Sequence, residues 1–187
     1  MCAARLLHLD SIEAALWREL AAAVVQPGHE WRHGVLATVD GAQADARTVV
    51  LRDFDADPRE LLIYTDARSP KAQQIDAHPL GTLVLWSAAL GWQLRLRVGL
   101  RLQTEGLLVS SRWAKLQLTP AAQDYLSPLP PGAPLEGPLA PPQPDRGTRG
   151  HFAVLSAQVQ AVDWLELHAQ GHRRARFDAQ GSRWLAP

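Results

Sequence analysis

Trp92-Gln93-Leu94-Arg95-Leu96-Arg97-Val98-Gly99-Leu100-Arg101-Leu102-Gln103 alternates without a break, with apolar residues at the even positions and Gln93, Arg95, Arg97, Gly99 and Arg101 between them. Side chains of an extended chain point to alternate faces, so this run predicts one long strand with a buried face and a face left to solvent or a partner. Leu83 to Trp86 reads as a strand just before it. Downstream, Phe152 to Leu167 is long enough for a strand with a bend. Gln170-Gly171 makes a turn, His172 to Asp178 returns as a strand, and Asp178 to Gly181 turns into Arg183-Trp184-Leu185. Upstream, His33 to Asp40 is a strand and Asp40-Gly41 starts a turn. Ala46 to Phe54, with Thr48-Val49-Val50-Leu51, reads as a strand buried on much of both faces. Asp55 to Arg59, with Pro58, turns into the return strand Leu61 to Thr65. Short strands joined by hairpins, with few helices, predict a mainly β fold: an antiparallel β-barrel with flanking helices.

Three segments carry helical signals. From Asp10 to Gln26 the residues Ile12, Leu16, Leu20 and Val24 make one apolar stripe, and Asp10 with Glu13 forms an acidic variant of the capping box. Ser69 stands where an N-cap belongs, Pro70 takes the first helical position, and Lys71 to Ala77 makes a short helix ended by His78-Pro79. Ser110 to Leu126 reads as a further helix with Trp113, Leu116 and Leu118 as apolar contacts and a break or restart at Thr119-Pro120. Ser127 to Gly150 holds eight prolines and reads as a loop.

A chain of 187 residues, 47% hydrophobic, can bury one substantial core, so we expect a single domain. Nineteen Lys and Arg balance nineteen Asp and Glu, which removes the global field that would draw the chain to nucleic acid or a membrane surface. Cys2, the one cysteine, excludes an internal disulfide and a cysteine metal cage. The first residues lack the pattern of a secretion signal, and no apolar run reaches the ~18 residues that span a bilayer. A cytoplasmic location is expected.

Against that neutral background Arg47, Arg52, Ser69 and Lys71 gather around two strands and a helix start. Arginine forks onto two oxygens and a helix N-terminus adds partial positive charge, so Arg47, Ser69 and Lys71 could hold one phosphate. Arg47 and Arg52 are five apart, so alternation sends them to opposite faces unless a bulge intervenes. On spacing alone the alternative stands that both are strand-surface residues beside an ordinary helix cap. His29-Glu30-Trp31-Arg32-His33 fits a zinc-protease string, but Pro27-Gly28 before it and a strand after it deny the helix that chemistry needs. His168 and His172 are also four apart, across a turn. No metal site is expected. Arg95, Arg97 and Arg101 lack interleaved stacking aromatics and read as a solvated or dimer-facing surface.

Arg47-Thr48-Val49-Val50-Leu51-Arg52, Ile63-Tyr64-Thr65-Asp66, Ser69-Pro70-Lys71-Ala72, Trp86, Gln93, His172-Arg173 and the terminal Leu185-Ala186-Pro187 together resemble the pyridoxamine 5′-phosphate oxidase superfamily, split β-barrel proteins that bind flavin mononucleotide (FMN) at a dimer interface. The segment from Ser110 into Pro130-Pro131-Gly132 is more similar to the oxidase-like FMN-binding subfamily, whose members mostly lack an assigned substrate. The resemblance implies a homodimer with FMN as cofactor. It implies FMN phosphate contacts at Arg47, Ser69 and Lys71, ribityl and ring contacts at Tyr64 and Thr65, and backbone contacts to the ring at Val49, Val50 and Leu51. Gln93 matches a glutamine given by the partner subunit, and Arg176 an arginine at the pyrimidine end of the ring. Arg52 and Arg173 are the implied substrate contacts, and no side chain is assigned a catalytic role. An amide offers donor and acceptor to a ring edge displaying both, and a nearby cation favours the reduced, anionic flavin.

Departures from the oxidase pattern bear on function. Pro70-Lys71 replaces an Arg-Lys pair, leaving Arg68 as a possible substitute donor. The flavin-packing tryptophan falls on Leu165, with Trp164 on the opposite face. Arg173-Arg174-Ala175 stands where the oxidase has Arg-x-His, and the histidine is absent. From Leu126 to Pro142, where the oxidase clamps its substrate's phosphate, there is no Arg or Lys, although Tyr125 matches. The implied function is a flavin-dependent oxidoreductase on an unidentified small substrate. The alternatives are pyridoxamine or pyridoxine 5′-phosphate oxidation, and a non-catalytic flavin-binding or stress-related module.

Overall fold

All eight expected strands form in the computed structural model, which describes residues 5–135, 137 and 149–187, and they join one antiparallel sheet. In chain order the elements are α1 (Leu9–Val25), β1 (His33–Asp40), β2 (Gln43–Asp55), β3 (Glu60–Asp66), α2 (Pro70–Ala77), β4 (Leu80–Ser87), β5 (Trp92–Gln103), α3 (Leu107–Leu116), β6 (Phe152–Glu166), β7 (Arg173–Asp178) and β8 (Gly181–Leu185). The sheet runs β3-β2-β1-β4-β5-β6-β7-β8, and a further pairing of β3 with β6 closes its first six strands into a barrel. A closed sheet leaves no free edge along those strands. β6 is shared: Phe152 to Gln158 pairs with β3, whereas Ala161 to Glu166 pairs with β7. The bend foreseen in this strand is a bulge at Gln160, where the register against β5 slips between Arg97 and Val98. It marks the point at which β6 changes neighbour.

The even residues of β5 fill the barrel: Leu94 and Leu96 are fully buried and Val98 nearly so. Burying a leucine side chain contributes about 1.5–3 kcal/mol, so this alternation fixes the strand's face. Trp92 meets Trp164 edge-on at 5.4 Å and Trp31 at 6.4 Å inside the same core. α1 lies over β2 and buries Ile12, Leu16 and Leu20, its expected stripe. A second apolar cluster lies on the other side of β3, where Leu62 and Phe152 are covered by Val109, Trp113 and Leu116 of α3 and by Tyr125.

Several local expectations are corrected. The Asp10–Glu13 capping box does not form; His8 is the N-cap without a side-chain bond, and Glu13 pairs with Arg59 instead. β2 is not buried on both faces, since only Val49 and Leu51 are buried and its other residues are half-buried or exposed. The expected helix from Ser110 to Leu126 begins earlier, at Leu107, and ends at Leu116. A separate 3-10 turn, Pro120–Tyr125, follows the break at Thr119-Pro120, and Leu118 is exposed rather than packed. Cys2 and half of the proline-rich stretch, residue 136 and residues 138–148, lie outside the described residues.

Candidate functional site

Where β3 ends, the chain turns through Asp66, Ala67, Arg68 and Ser69 into α2, and this corner gathers the expected phosphate donors. The turn is set by the Ser69 amide donating to the Asp66 carbonyl at 3.1 Å and the Arg68 amide donating to Asp66 Oδ1 at 2.7 Å. Ser69 occupies the N-cap position, but its hydroxyl makes no cap bond; it lies 3.4 Å from Thr65 Oγ1 and is buried. Lys71 Nζ donates to Thr65 Oγ1 at 2.8 Å and to Ser69 Oγ at 3.2 Å. Burial pushes the Lys71 ammonium below the ordinary lysine range, and the Arg47 guanidinium pushes the same way. Arg47, opposite Leu36 across the β1–β2 ladder, donates to Thr38 Oγ1 at 2.5 Å and Gln74 Oε1 at 2.9 Å, and pairs with Asp45. Two cations and two buried hydroxyls therefore converge beside a helix start.

Sequence reasoning missed the residues that set the Arg47 fork. Gln74 is buried; it receives the Thr38 hydroxyl at 2.6 Å and donates to Asp45 Oδ2 at 2.9 Å. A glutamine inside a short polar helix carries no distinguishing signal; only the seating of α2 against β1 shows its role.

Gln93 and Arg176 stand elsewhere, on the open face of the sheet. Gln93 pairs in register with Trp86 on β4 and Leu165 on β6, and Arg176 pairs with Asp163. Arg174, two residues before Arg176 and so on the same face, shares Asp163 with Arg95, donating at 2.7 Å from each guanidinium. Arg176 shares Asp178 with Arg183. These paired guanidiniums hold both carboxyls below the usual range, although burial pushes against it at Asp163. A pocket of about 140 Å³ opens here between Thr82, Arg95, Arg97, Ala161, Asp163 and Arg176. Beside it the face turns apolar, with Val35 and Trp86 42% and 44% exposed. Among the described residues, no hydrogen bond joins this group to the Arg47 corner.

The two expected substrate arginines also separate. Arg52 sits at a bulge in β2, with its guanidinium 5.6 Å from the Tyr64 ring centroid. Arg47 and Arg52 thus do face opposite sides. Arg173 faces the interior, donating to both carboxylate oxygens of buried Glu166 at 2.8 Å and to the Leu6 carbonyl at 2.6 Å. That guanidinium is fully engaged in holding the N-terminal segment. Arg68, the possible substitute donor, is engaged too: it binds Asp66 and the carbonyls of Ser127, Pro128 and Leu129, pinning the start of the proline-rich stretch beside α2. Trp164 is wholly buried and Leu165 lies on the open face, as expected. The string from His29 to His33 forms one 3-10 turn entering β1, and among the described residues no cluster with metal-ligand composition occurs.

A barrel closed through a shared strand, with an anion corner at the β3–α2 turn, defines an FMN-binding split barrel. Comparison with known proteins agrees. The family model "Pyridoxamine 5′-phosphate oxidase, FMN-binding domain" matches residues 14–103. A pyridoxine/pyridoxamine 5′-phosphate oxidase of Caulobacter vibrioides is 35% identical over 163 residues, 80% of this chain and 71% of that protein. Its counterpart in Trichormus variabilis is 36% identical over 80 residues, 43% of this chain and 36% of that protein. Among solved structures, a pyridoxamine 5′-phosphate oxidase-related FMN-binding protein of Nostoc punctiforme superposes with a TM-score of 0.72 at 25% identity, covering 98% of this chain and 100% of that one. PhzG of Burkholderia lata shares the fold, with a TM-score of 0.72 at 17% identity over 99% of this chain and 98% of that one. The chain belongs to the pyridoxamine 5′-phosphate oxidase family, whose domain binds FMN. The donor set fits that cofactor: a desolvated ammonium whose acceptors are two neutral hydroxyls suits a phosphate oxygen. No helix among the described residues is long and apolar enough to cross a membrane.

Proposed function

We propose that this chain is one FMN-binding domain that works as a cytoplasmic homodimer and as an FMN-dependent oxidoreductase on a small substrate. The observation that carries the reading is the division of the donor set between two faces. Arg47, Thr65, Ser69 and Lys71 form an anion corner, while Gln93 and Arg176 lie on the open face beside exposed Val35 and Trp86. A second copy packed by that apolar strip would bring its own Gln93 and Arg176 to the ring held by the first, an arrangement a two-fold interface allows.

Arg47, Lys71, Ser69 and Thr65 would hold the phosphate, Tyr64 would meet the ribityl chain, and the backbone of Val49, Val50 and Leu51 would lie along the ring. Val49 and Leu51 bury their side chains in the barrel, which keeps that backbone rigid. Gln93 would donate to and accept from the ring edge, and Arg176 would stabilise negative charge there. Bound FMN supplies hydride transfer, so the protein's task is to position and tune rather than to exchange protons.

Pyridoxine or pyridoxamine 5′-phosphate oxidation is the second reading, supported by the 35% identity to the Caulobacter enzyme. The absence of Arg and Lys from Leu126 to Pro142 weighs against it. Purified protein should be yellow, sediment as a dimer and keep its flavin through gel filtration; a colourless monomer that does not take up FMN would refute the proposal. Peroxide release with pyridoxamine 5′-phosphate then decides between the two substrates.

A further inference from the structure

On the open face of the sheet, Arg97 stands between two small side chains, opposite Thr82 on β4 and opposite Ala161 on β6. Its neighbours on the same face of β5 are Arg95 and Gly99, so no bulky apolar group crowds it. The bulge at Gln160 comes directly before Ala161, and beyond it β6 passes to β7, which brings Arg176 opposite Asp163. Small residues across from long ones leave a hollow. It measures about 140 Å³ and is bounded by Thr82, Arg95, Arg97, Ala161, Asp163 and Arg176.

Three guanidiniums and one carboxylate line this hollow, a surplus of two positive charges in a chain of zero formal charge. The acids nearby cannot absorb that surplus. Asp163 is shared by Arg95 and Arg174, and Asp178 by Arg176 and Arg183. Arg97 makes no side-chain ion pair or hydrogen bond among the described residues, so its donors remain available. Volume and charge then select the ligand. Sites for whole small molecules begin near ~300 Å³, so this hollow suits a group the size of an ion. A carboxylate offers one charge in one plane, whereas a phosphoryl group offers two charges and oxygens in several directions, which suits guanidiniums arriving from β5 and from β7.

We propose that Arg97, with Arg95 and Arg176, forms a second anion site, separate from the corner at Lys71, for the phosphoryl group of inorganic phosphate or of a small phosphate monoester. The site goes beyond the proposed function and does not depend on it, because every group it uses stands on one chain. It shares Arg176 with the proposed flavin contacts, and Arg97 belongs to it alone.

Inorganic phosphate is the probe, titrated by calorimetry into the FMN-loaded full chain at about pH 8, where it is a dianion, and at constant ionic strength. Acetate is the monoanion control and should bind at least about tenfold more weakly. Arg97→Gln should weaken phosphate about tenfold, the loss of one charge-assisted bond, and Arg97→Lys should recover part of that loss. Ala161→Met, which fills the hollow and leaves the charges alone, should weaken phosphate too. FMN affinity should stay level in the Arg97 variants. Glycerol 3-phosphate separates the two sources: binding as tight as phosphate makes the ester a ligand, and its exclusion leaves the free ion. Phosphate affinity unchanged by both Arg97→Gln and Ala161→Met, or acetate bound as tightly as phosphate, would overturn the site; should Ala161→Met not fold, Arg97→Gln decides. If the chain takes no FMN, the proposed function fails, and the same titration on Lys71→Met, which lacks the corner cation, tests this site by itself.

Discussion

Replacing Lys71 by methionine would separate two consequences of burying an ammonium. Lys71 Nζ contacts the hydroxyls of Thr65 and Ser69, at 2.8 and 3.2 Å, and burial with the Arg47 charge lowers its proton affinity despite opposing pulls from Asp66 and Asp45. In the free protein the charge is therefore a liability. Methionine fills similar space without it, so the flavin-free variant should be no less stable than the parent in a urea melt. FMN binding should suffer: one charge-assisted bond to phosphate contributes about 1.5–3 kcal/mol, so Kd should rise roughly 10- to 150-fold in a flavin-fluorescence titration. The pH dependence gives a second reading. Because the folded pKa lies below the ordinary 10.5, the native state holds fewer protons than the unfolded one in the alkaline window just under that value. Stability of the free protein should rise with pH there, and FMN affinity should fall as Lys71 loses its proton. Both slopes should vanish in Lys71→Met. An unchanged Kd, or a Kd that worsens only as far as stability does, would refute the assignment of Lys71 to the anion corner.

Other perturbations address other parts of the molecule. Glu166→Ala should destabilise the fold by about 3–5 kcal/mol, because it strands Arg173 and Arg5 beside a buried site. Arg173 and Arg5 hold the Glu166 carboxyl below its ordinary range against the opposing effect of burial, so its contribution is present above pH about 4.5 and lost as pH falls below that; a parent and variant with equal midpoints at neutral pH would contradict this. Gly91→Ala should cost about 1–3 kcal/mol, since Gly91 has φ of 65° and an added Cβ would lie 2.7 Å from the Leu167 carbonyl oxygen; a wild-type melting curve would show that the hairpin can shift. Gln93→Ala should move the flavin reduction potential while leaving the unfolding midpoint within about 0.5 kcal/mol, as for a half-buried residue on an open face; an unaltered potential would count against its ring contact.

The barrel was legible because its strands obey a period of two, and β5 forms over the same residues that alternate in the sequence. Which strands close it was not legible. Pairing of Ile63 with Leu155 joins residues far apart in the chain, and no local pattern in either strand encodes that partner. Helix boundaries failed where tertiary packing outweighs propensity: α3 starts at Leu107 because Val109, Trp113 and Leu116 cover Leu62 and Phe152. Within the corner, Arg47, Ser69 and Lys71 were named by the family resemblance, since spacing alone left them as strand-surface residues beside a helix cap. Gln74, Thr38 and Asp45 were not, because a hydrogen-bond network among polar residues leaves no periodic trace.

Ser69 illustrates how one residue can satisfy a local rule for a non-local reason. Its position before Pro70 reads as a helix cap, and the helix begins there, yet its hydroxyl turns away from the helix amides toward Thr65 and Lys71. Pro70 removes one amide that would need capping, and the Ala72 amide is already satisfied by the Ser69 carbonyl at 2.9 Å. The hydroxyl is thereby released to the corner. Without an arginine at this position Lys71 and Ser69 still meet at the corner, while both neighbouring guanidiniums are held by the protein: Arg68 by Asp66 and the carbonyls of Ser127 to Leu129, Arg47 by Asp45, Gln74 and Thr38. On the proposed assignment of this corner to the FMN phosphate, the donor set is smaller than one with a further cation, so each donor should weigh more heavily on substitution.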